Sequence, residues 1–358
     1  MEHFDEYLRQ GELSQAEKAK VWKTAIGLQQ VDGLKPSKYL IETAKKNIEG
    51  DITIEEVKQR IDGYYKQHPA KKAEDRTEEA DKVSARITEI LSEQTFTFSP
   101  AEYLSIHRRL FKGIYKFAGK IRDYNITKKE WVLDGETVLY GSAESLKSTL
   151  EYDFSQEKKF NYKGLSQQET IEHIGHFISY LWQIHIFGEG NTRTTAIFLI
   201  KYLRTFGFKV NNELFEQHSL YFRNALVRTI YKNYTKNIYA TYEFLIRFFE
   251  NLLLGENNIL KNREVHINYT DTIKVLNDTT KSKIDTVNDT INDTINDTLN
   301  DTVFNLIKQD NKMHAIKISE QLKISLSTAK RRIKELKQQG KIERVGSHKT
   351  GLWIIIKS

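Results

Sequence analysis

Residues 185–195 read His-Ile-Phe-Gly-Glu-Gly-Asn-Thr-Arg-Thr-Thr, bringing an imidazole, a carboxylate, two glycines and a guanidinium within nine residues. Each type has a use beside a phosphate. Gly188 and Gly190 let backbone amides approach where a side chain would stand in the way. The free amides of a helix's first turn favour anions, and Arg193 adds a fixed positive charge. Glu189 is out of place beside an anion alone, but it makes sense if a divalent cation bridges it to the phosphate. His185 stands next to the loop, where its ring can take a proton from an incoming hydroxyl.

The elements that must position these residues are legible on either side. Ile171, Ile174, Ile178 and Leu181 recur at helical steps before the loop, and the apolar run from Ala196 to Leu203 follows it, stopped by Gly207. The spacing predicts a helix, a short glycine loop and a second helix. Ser99-Pro100 opens an earlier helix with the face Tyr103, Ile106, Leu110 and Ile114. Residues 123–140 change period. Tyr124–Ile126, Trp131–Leu133 and Thr137–Tyr140 are β-prone, and Asp134-Gly135 is a turn signal, which predicts a small β-hairpin. Helices are expected over 142–155, 166–184, 213–231 and 236–254. His173 and His176 could share a helix face, but no third ligand stands at a zinc-like spacing.

Residues 1–95 read as a helical region. Ser14 can cap a helix to about Val31, Pro36-Ser37 a second to about Asn47, and Thr53 a third to about Tyr65; a fourth covers about 78–93. The catalytic core is expected over 96–255 and a linker over 256–310. Within the linker Asn-Asp-Thr recurs four times between 288 and 302, with Val287, Ile291, Ile295, Leu299 and Val303 between the repeats. A four-residue step drifts about 40° per repeat on a helix, and Asn, Asp and Thr are poor helix formers. The segment reads as a spacer that can self-associate along its apolar stripe, so a homo-oligomer stands among the expectations.

The chain has 358 residues, 39% hydrophobic content and three prolines, which suits a mostly helical protein of two or three domains. No apolar run approaches eighteen residues, so no membrane partner is expected. Zero cysteines exclude disulfides and thiolate chemistry, in keeping with a cytoplasmic location. The net charge of +7 is uneven, because residues 312–358 hold twelve Lys/Arg against three Asp/Glu. The remainder is slightly acidic, so a nucleic-acid partner is expected at the C-terminal end alone.

There, residues 311–358 read as a winged helix. Ala315–Lys317 is strand-like, Ile318–Ile324 a short helix, and Ser325 caps a second helix, Leu326 to Gln339. Lys341–Val345 and Leu352–Ile355 are strands around a wing. The order resembles the winged helix-turn-helix domains of bacterial transcription regulators. That resemblance puts Ser327, Thr328, Lys330 and Arg331 at the major groove and Lys349 of the wing at phosphate.

The stretch at 185–195 resembles the signature of Fic (Fido-fold) proteins, H-P-F-x-(D/E)-G-N-G-R-x-x-R, with supporting similarity over about 100–250. Ala118-Gly119-Lys120-Ile121-Arg122 is similar to the family's A-G-x-x-R corner. The resemblance implies a helical Fic core with a β-hairpin flap, and transfer of AMP from ATP to a Tyr, Thr or Ser hydroxyl of a protein, this chain included. It makes His185 the base, Phe187 the loop's anchor in the core and Glu189 the Mg2+ ligand. Gly188, Gly190, Asn191 and Thr192 would line the phosphate nest, with Arg193 neutralising phosphate charge. Trp131, Val132 and Leu133 would dock the target on the flap, His107 would be structural, and Tyr221, Asn224 and Tyr231 would line the base pocket. Ile186, Thr192 and Ala196 depart from the pattern. Ala196 stands where the family has a second arginine, the partner of an inhibitory glutamate. The matching stretch of the N-terminal region, Leu28 to Asp32-Gly33, resembles the antitoxin-like motif with aspartate for glutamate. The linked losses imply that this helix packs structurally, with weak or absent autoinhibition. Two other functions stay open: a DNA-binding regulator whose Fic domain senses nucleotide, and a Fic variant that transfers another nucleotide or phosphorylated group.

Overall fold

Serine and threonine caps set most helix starts. Ser37 accepts from Leu40 N at the start of α3 (Lys38–Glu49), which Gly50 ends in the left-handed region. Thr53 and Glu56 form a capping box on α4 (Ile54–Gln67), and Ser166 and Glu169 another on α8 (Gln167–Ile184). The computed structural model describes residues 3–69, 76–208, 210 and 212–269, together with parts of 303–356. It divides into two compact units, Met1–Lys283 and Ile284–Ser358.

In the first unit α1 (Asp5–Gln10) and α2 (Leu13–Gly27) lead into a 3-10 turn, Leu28–Asp32. Glu12, not Ser14, caps α2 by a box with Gln15, and the helix ends four residues before the expected Val31. Side chains take its last carbonyls: Gln29 Nε2 donates to Ala25 O and Ser219 Oγ to Gly27 O, at 2.9 and 2.8 Å. After α3 and α4 come α5 (Thr77–Ser92), α6 (Pro100–Phe111), α7 (Leu146–Lys159), α8, α9 (Asn191–Thr205), α10 (Asn212–Ile230), α11 (Glu243–Leu253) and α12 (Asn262–Val265). The main core gathers α5 through α12 around the buried Phe111, Trp182, Phe187, Phe198 and Phe222. A smaller core, with Trp22 at its centre, unites α1 to α4. Ala25 and Leu28 of the N-terminal region belong to the main core, so residues 1–95 and the core fold together. Residues 256–269, expected as linker, also pack here: Leu260 and Val265 are buried, and Asn224 donates to Asn262 at 2.7 Å.

Where the hairpin strands were expected, the described structure has none. Trp131–Leu133 forms a 3-10 turn followed by Asp134 in the left-handed region, between two irregular arms. Glu130 N–H to Glu136 O at 2.9 Å and Gly135 N–H to Glu130 O at 3.0 Å close it. The β-prone residues Val132 and Leu133 face the core on both sides of the turn, so a period-two alternation has no open face to satisfy.

In the second unit α13 is Ala315–Gln321, so the strand-like Ala315–Lys317 is helical. β1 (Ile342–Val345) pairs antiparallel with β2 (Leu352–Ile355), Ile342 opposite Ile355. Val303, Ile307, Met313, Ile318, Ala329, Ile333, Leu336, Ile342 and Trp353 share one core, and Trp353 Nε1 donates to Met313 O at 2.8 Å. Val303 follows the last Asn-Asp-Thr repeat, so this unit begins inside the stretch read as linker. Lys330 is helical and exposed. Ser327, Thr328, Arg331, Lys349 and the repeat itself lie outside the described residues.

Candidate active site

His185 ends α8 in the left-handed region, φ 48° and ψ 53°. For a non-glycine residue that geometry must be held by its surroundings. Arg122 holds it: its Nε donates to His185 O at 2.7 Å, and its other nitrogens reach the carbonyls of Tyr124 and Gly141, one on each arm of the 124–142 segment. The corner arginine thus joins the histidine to both arms. The ring lies between Tyr140, centroids 4.2 Å apart, and Trp182 at 5.0 Å. Nδ1 sits 3.2 Å from Trp182 O. A carbonyl can only accept, so Nδ1 carries the proton and Nε2 keeps the lone pair. Burial, then the charge of Lys128 and those of Arg223 and Arg122, push the pKa well below 6.5, against a weak pull from Trp182 O. The ring is therefore neutral at ordinary pH and able to accept a proton.

The loop after it is braced from behind. Phe187 is buried and stacks on His107 at 3.6 Å. His107 accepts from Gly119 N on Nδ1 at 2.8 Å and donates from Nε2 to Glu189 O at 2.9 Å, the structural role expected. Asn191 uses both amide atoms on the Phe187 backbone, at 3.0 and 2.8 Å, and Trp182 Nε1 donates to Thr192 Oγ1 at 3.0 Å. Asn191 and Thr192 therefore spend their side chains on shaping the loop. Gly190 is required, whereas at Gly188 only the end of the exposed Tyr124 side chain stands in the way. A Cβ on Gly188 would sit 2.6 Å from Tyr124 Oη, and one on Gly190, at φ 78°, 2.4 Å from the Phe111 ring.

Arg193 does not face the loop. It is fully buried, with Nε 2.8 Å from Asp32 Oδ2 in an ion pair and Nη2 donating to Glu79 Oε1 at 2.7 Å. Nη1 donates to Gln29 Oε1 at 3.0 Å, and the guanidinium lies over Phe111 at 4.8 Å. Burial disfavours the charge, but Asp32, Tyr115 and Glu79 outweigh it and raise its pKa. The aspartate of the antitoxin-like stretch therefore does reach the motif helix, through this arginine and not through position 196.

Two cations that the sequence reading missed stand at the site. Lys128 Nζ is 3.3 Å from both Glu189 oxygens. Arg223 of α10 pairs with Glu130 at 2.9 Å, and Tyr140 Oη donates to the same carboxylate at 3.0 Å. Lys128 sits in a basic Lys-Lys pair that looks like solvated surface, and Arg223 lies on a helix far along the chain, so only the fold joins them to His185. Of the residues expected to dock a target, Trp131 is 44% exposed and packs on His266, whereas Val132 and Leu133 are buried. The most exposed apolar side chain of this segment is Leu139, at 85%. Tyr221 and Asn224 are buried in the core, and Tyr231 Oη donates to Glu136. His173 bonds Glu157 at 2.7 Å and His176 packs on Tyr242, so the two do not converge.

The left-handed histidine, the braced loop and the corner arginine thus form one unit at the start of α9. Residues 97–203 match the Fic/DOC family, and residues 302–343 match the winged helix-turn-helix DNA-binding family, so a Fic domain is joined in this chain to a winged helix. Over 128 residues the chain is 27% identical to protein adenylyltransferase VbhT of Bartonella schoenbuchensis, covering 36% of this chain and 25% of that protein. It thus spans about a quarter of the length of that relative. Similar solved structures include the N-terminal FIC domain of the Bep8 protein from Bartonella sp. 1-1C, with 18% identity, 52% of this chain, 88% of that chain and TM-score 0.39. The type IV secretion system effector protein BepA gives 20%, 59%, 69% and 0.38 in the same order.

Proposed function

We propose that the first unit is an adenylyltransferase, moving AMP from ATP to a Tyr, Thr or Ser hydroxyl of a protein, itself included. The observation that carries this reading is the neutral His185, its Nε2 lone pair free, beside the amide-rich mouth of α9. In the reaction Nε2 takes the proton of the target hydroxyl. The hydroxyl oxygen forms a bond to the α-phosphorus, the bond from that phosphorus to the bridging oxygen breaks, and pyrophosphate leaves. Backbone amides of Gly188 to Thr192 face the charge that develops.

Mg2+ would be held by Glu189. The fit is good: magnesium keeps most of its waters and asks for one or two carboxylates besides substrate phosphate, and this carboxylate is part-exposed with only Lys128 and its own loop amide against it. When bound, the ion supplies charge neutralisation on the phosphates. Leu139, with Tyr124 and Trp131, is the apolar side chain of the segment that a target would meet.

Incubation with α-labelled ATP and magnesium, followed by mass measurement of the chain, tests the reading. A gain of one AMP that His185→Ala abolishes supports it; a chain that neither labels itself nor transfers label to a lysate, or an equally active variant, overturns it. A second reading, a DNA-binding regulator whose Fic domain senses nucleotide, is favoured by the winged-helix match and by the engaged Arg193. It expects nucleotide to alter DNA affinity with no AMP left on any protein.

A further inference from the structure

The site must hold a polyphosphate, yet neither arginine position of the motif offers a charge. Ala196 has none, and Arg193 is fully buried with Asp32, Glu79 and Gln29 on its nitrogens. Freeing it would strand Asp32, whose one ion pair among the described residues is with Arg193, and would break the bonds to Glu79 and Gln29. A magnesium–triphosphate still carries net negative charge, and backbone amides alone leave that charge unmatched.

We propose that Arg223 and Lys128 are the polyphosphate-binding cations of this site, taking the place of the missing second arginine and the sequestered first. This rests on the adenylyltransferase reading and adds the residues that select a triphosphate. Both side chains are reachable, 23% and 24% exposed. Each is parked on a carboxylate: Arg223 on Glu130, Lys128 on Glu189. Glu130 also takes the Tyr140 hydroxyl, and the Tyr140 ring lies on His185, so Arg223 is joined to the base through two intervening residues. Lys128 is joined to it through the acid of the loop. The same two cations are among the charges that depress the His185 pKa, in keeping with their place near the imidazole. When triphosphate enters, Arg223 offers a planar fork and Lys128 a point charge, and Glu189, released by Lys128, would be left to hold Mg2+. The parking carboxylates keep both cations oriented in the free protein, so little ordering remains on binding.

The test is calorimetric binding of ATP and of AMP, each with magnesium, to the full chain. Only ATP has the β- and γ-phosphates, so the ratio of the two affinities reads the proposed contacts. Arg223→Gln and Lys128→Gln should each cut that ratio about tenfold, the usual scale for a lost charge-assisted bond, with AMP affinity little changed. Arg223→Gln leaves Glu130 unpaired in a buried place, so Arg223→Gln/Glu130→Gln is the second variant and should behave alike. Glu130→Gln alone breaks the pair but keeps the cation. It should bind ATP as tightly as the unaltered chain or more tightly, whereas a merely structural pair would make it as weak as Arg223→Gln. An unchanged ratio in the two Arg223 variants, or equal loss in Glu130→Gln, overturns the proposal while AMP transfer by the unaltered chain leaves the enzymatic reading standing. Failure of the unaltered chain to bind ATP overturns both.

Discussion

At the scale of single residues, His185 and His107 are two buried imidazoles with opposite duties. His185 keeps a free lone pair, whereas both nitrogens of His107 are spent on Gly119 N and Glu189 O. Replacing His185 by alanine should lower AMP transfer by roughly two to four decades, the scale of a lost general base. His107 predicts a pH effect on stability. Burial first, against a bond to Glu189 O, lowers its pKa from 6.5 to about 4. Between those values the unfolded chain binds a proton that the folded chain refuses. Stability is therefore full above 6.5 and falls as pH drops toward 4, by on the order of 3 kcal/mol for this group. Denaturant unfolding at pH 7 and pH 4.5 should show a smaller loss in His107→Gln than in the parent; equal losses would refute the assignment. The motif residues were legible because their spacing is local. Lys128 and Arg223 were not, since nothing in sequence distinguishes a site-facing cation from a solvated one until α10 is folded against the 124–142 segment.

At the scale of elements, the helices were legible where a cap residue and an apolar period agreed, as at Ser37, Thr53, Ser99 and Ser166. The 123–140 segment misled because Val, Leu and Trp favour strands only when one face is open, and here Val132 and Leu133 are buried inside a turn. Asp32 was legible as an acid in the right stretch, but its partner was not, because the sequence offers Arg193 and Ala196 three residues apart and only packing decides which the turn meets. The close approach of α2 and α10 was hidden for the same reason. A Cβ added to Gly27 would lie 2.3 Å from Glu216 Cα and 2.7 Å from Glu216 O. Gly27 has helical dihedrals, φ −62° and ψ −37°. Propensity alone would therefore let Gly27→Ala stabilise by about 1 kcal/mol. Backbone cannot yield as a side chain can, so the steric term wins and the variant should lose about 2 kcal/mol. A higher denaturation midpoint for Gly27→Ala would show that the helices separate freely.

At the scale of the whole molecule, charge and chemistry are partitioned. The first unit holds the candidate active site, and residues 312–358 of the second carry twelve Lys/Arg against three Asp/Glu on a winged helix with a core of its own: Trp353 bridges β2 to Met313, and Ile318, Ala329 and Leu336 share that core. Its exposed lysines are open to a ligand, and Ile316, Leu352, Ile354 and Ile356 also stay outside the core. If that ligand is duplex DNA, affinity must fall with salt, because each neutralised phosphate releases condensed counterions. Lys330 is exposed on a helical stretch, and Arg331 follows it in the sequence. Lys330→Glu/Arg331→Glu should lower affinity for the cognate duplex and make the slope of log affinity against log salt shallower by about two, near 0.9 per lost phosphate contact. AMP transfer by the same variant should be unchanged, since neither residue belongs to the first unit. An unaltered salt slope would assign the basic surface to a partner other than DNA, and the winged helix to protein contacts.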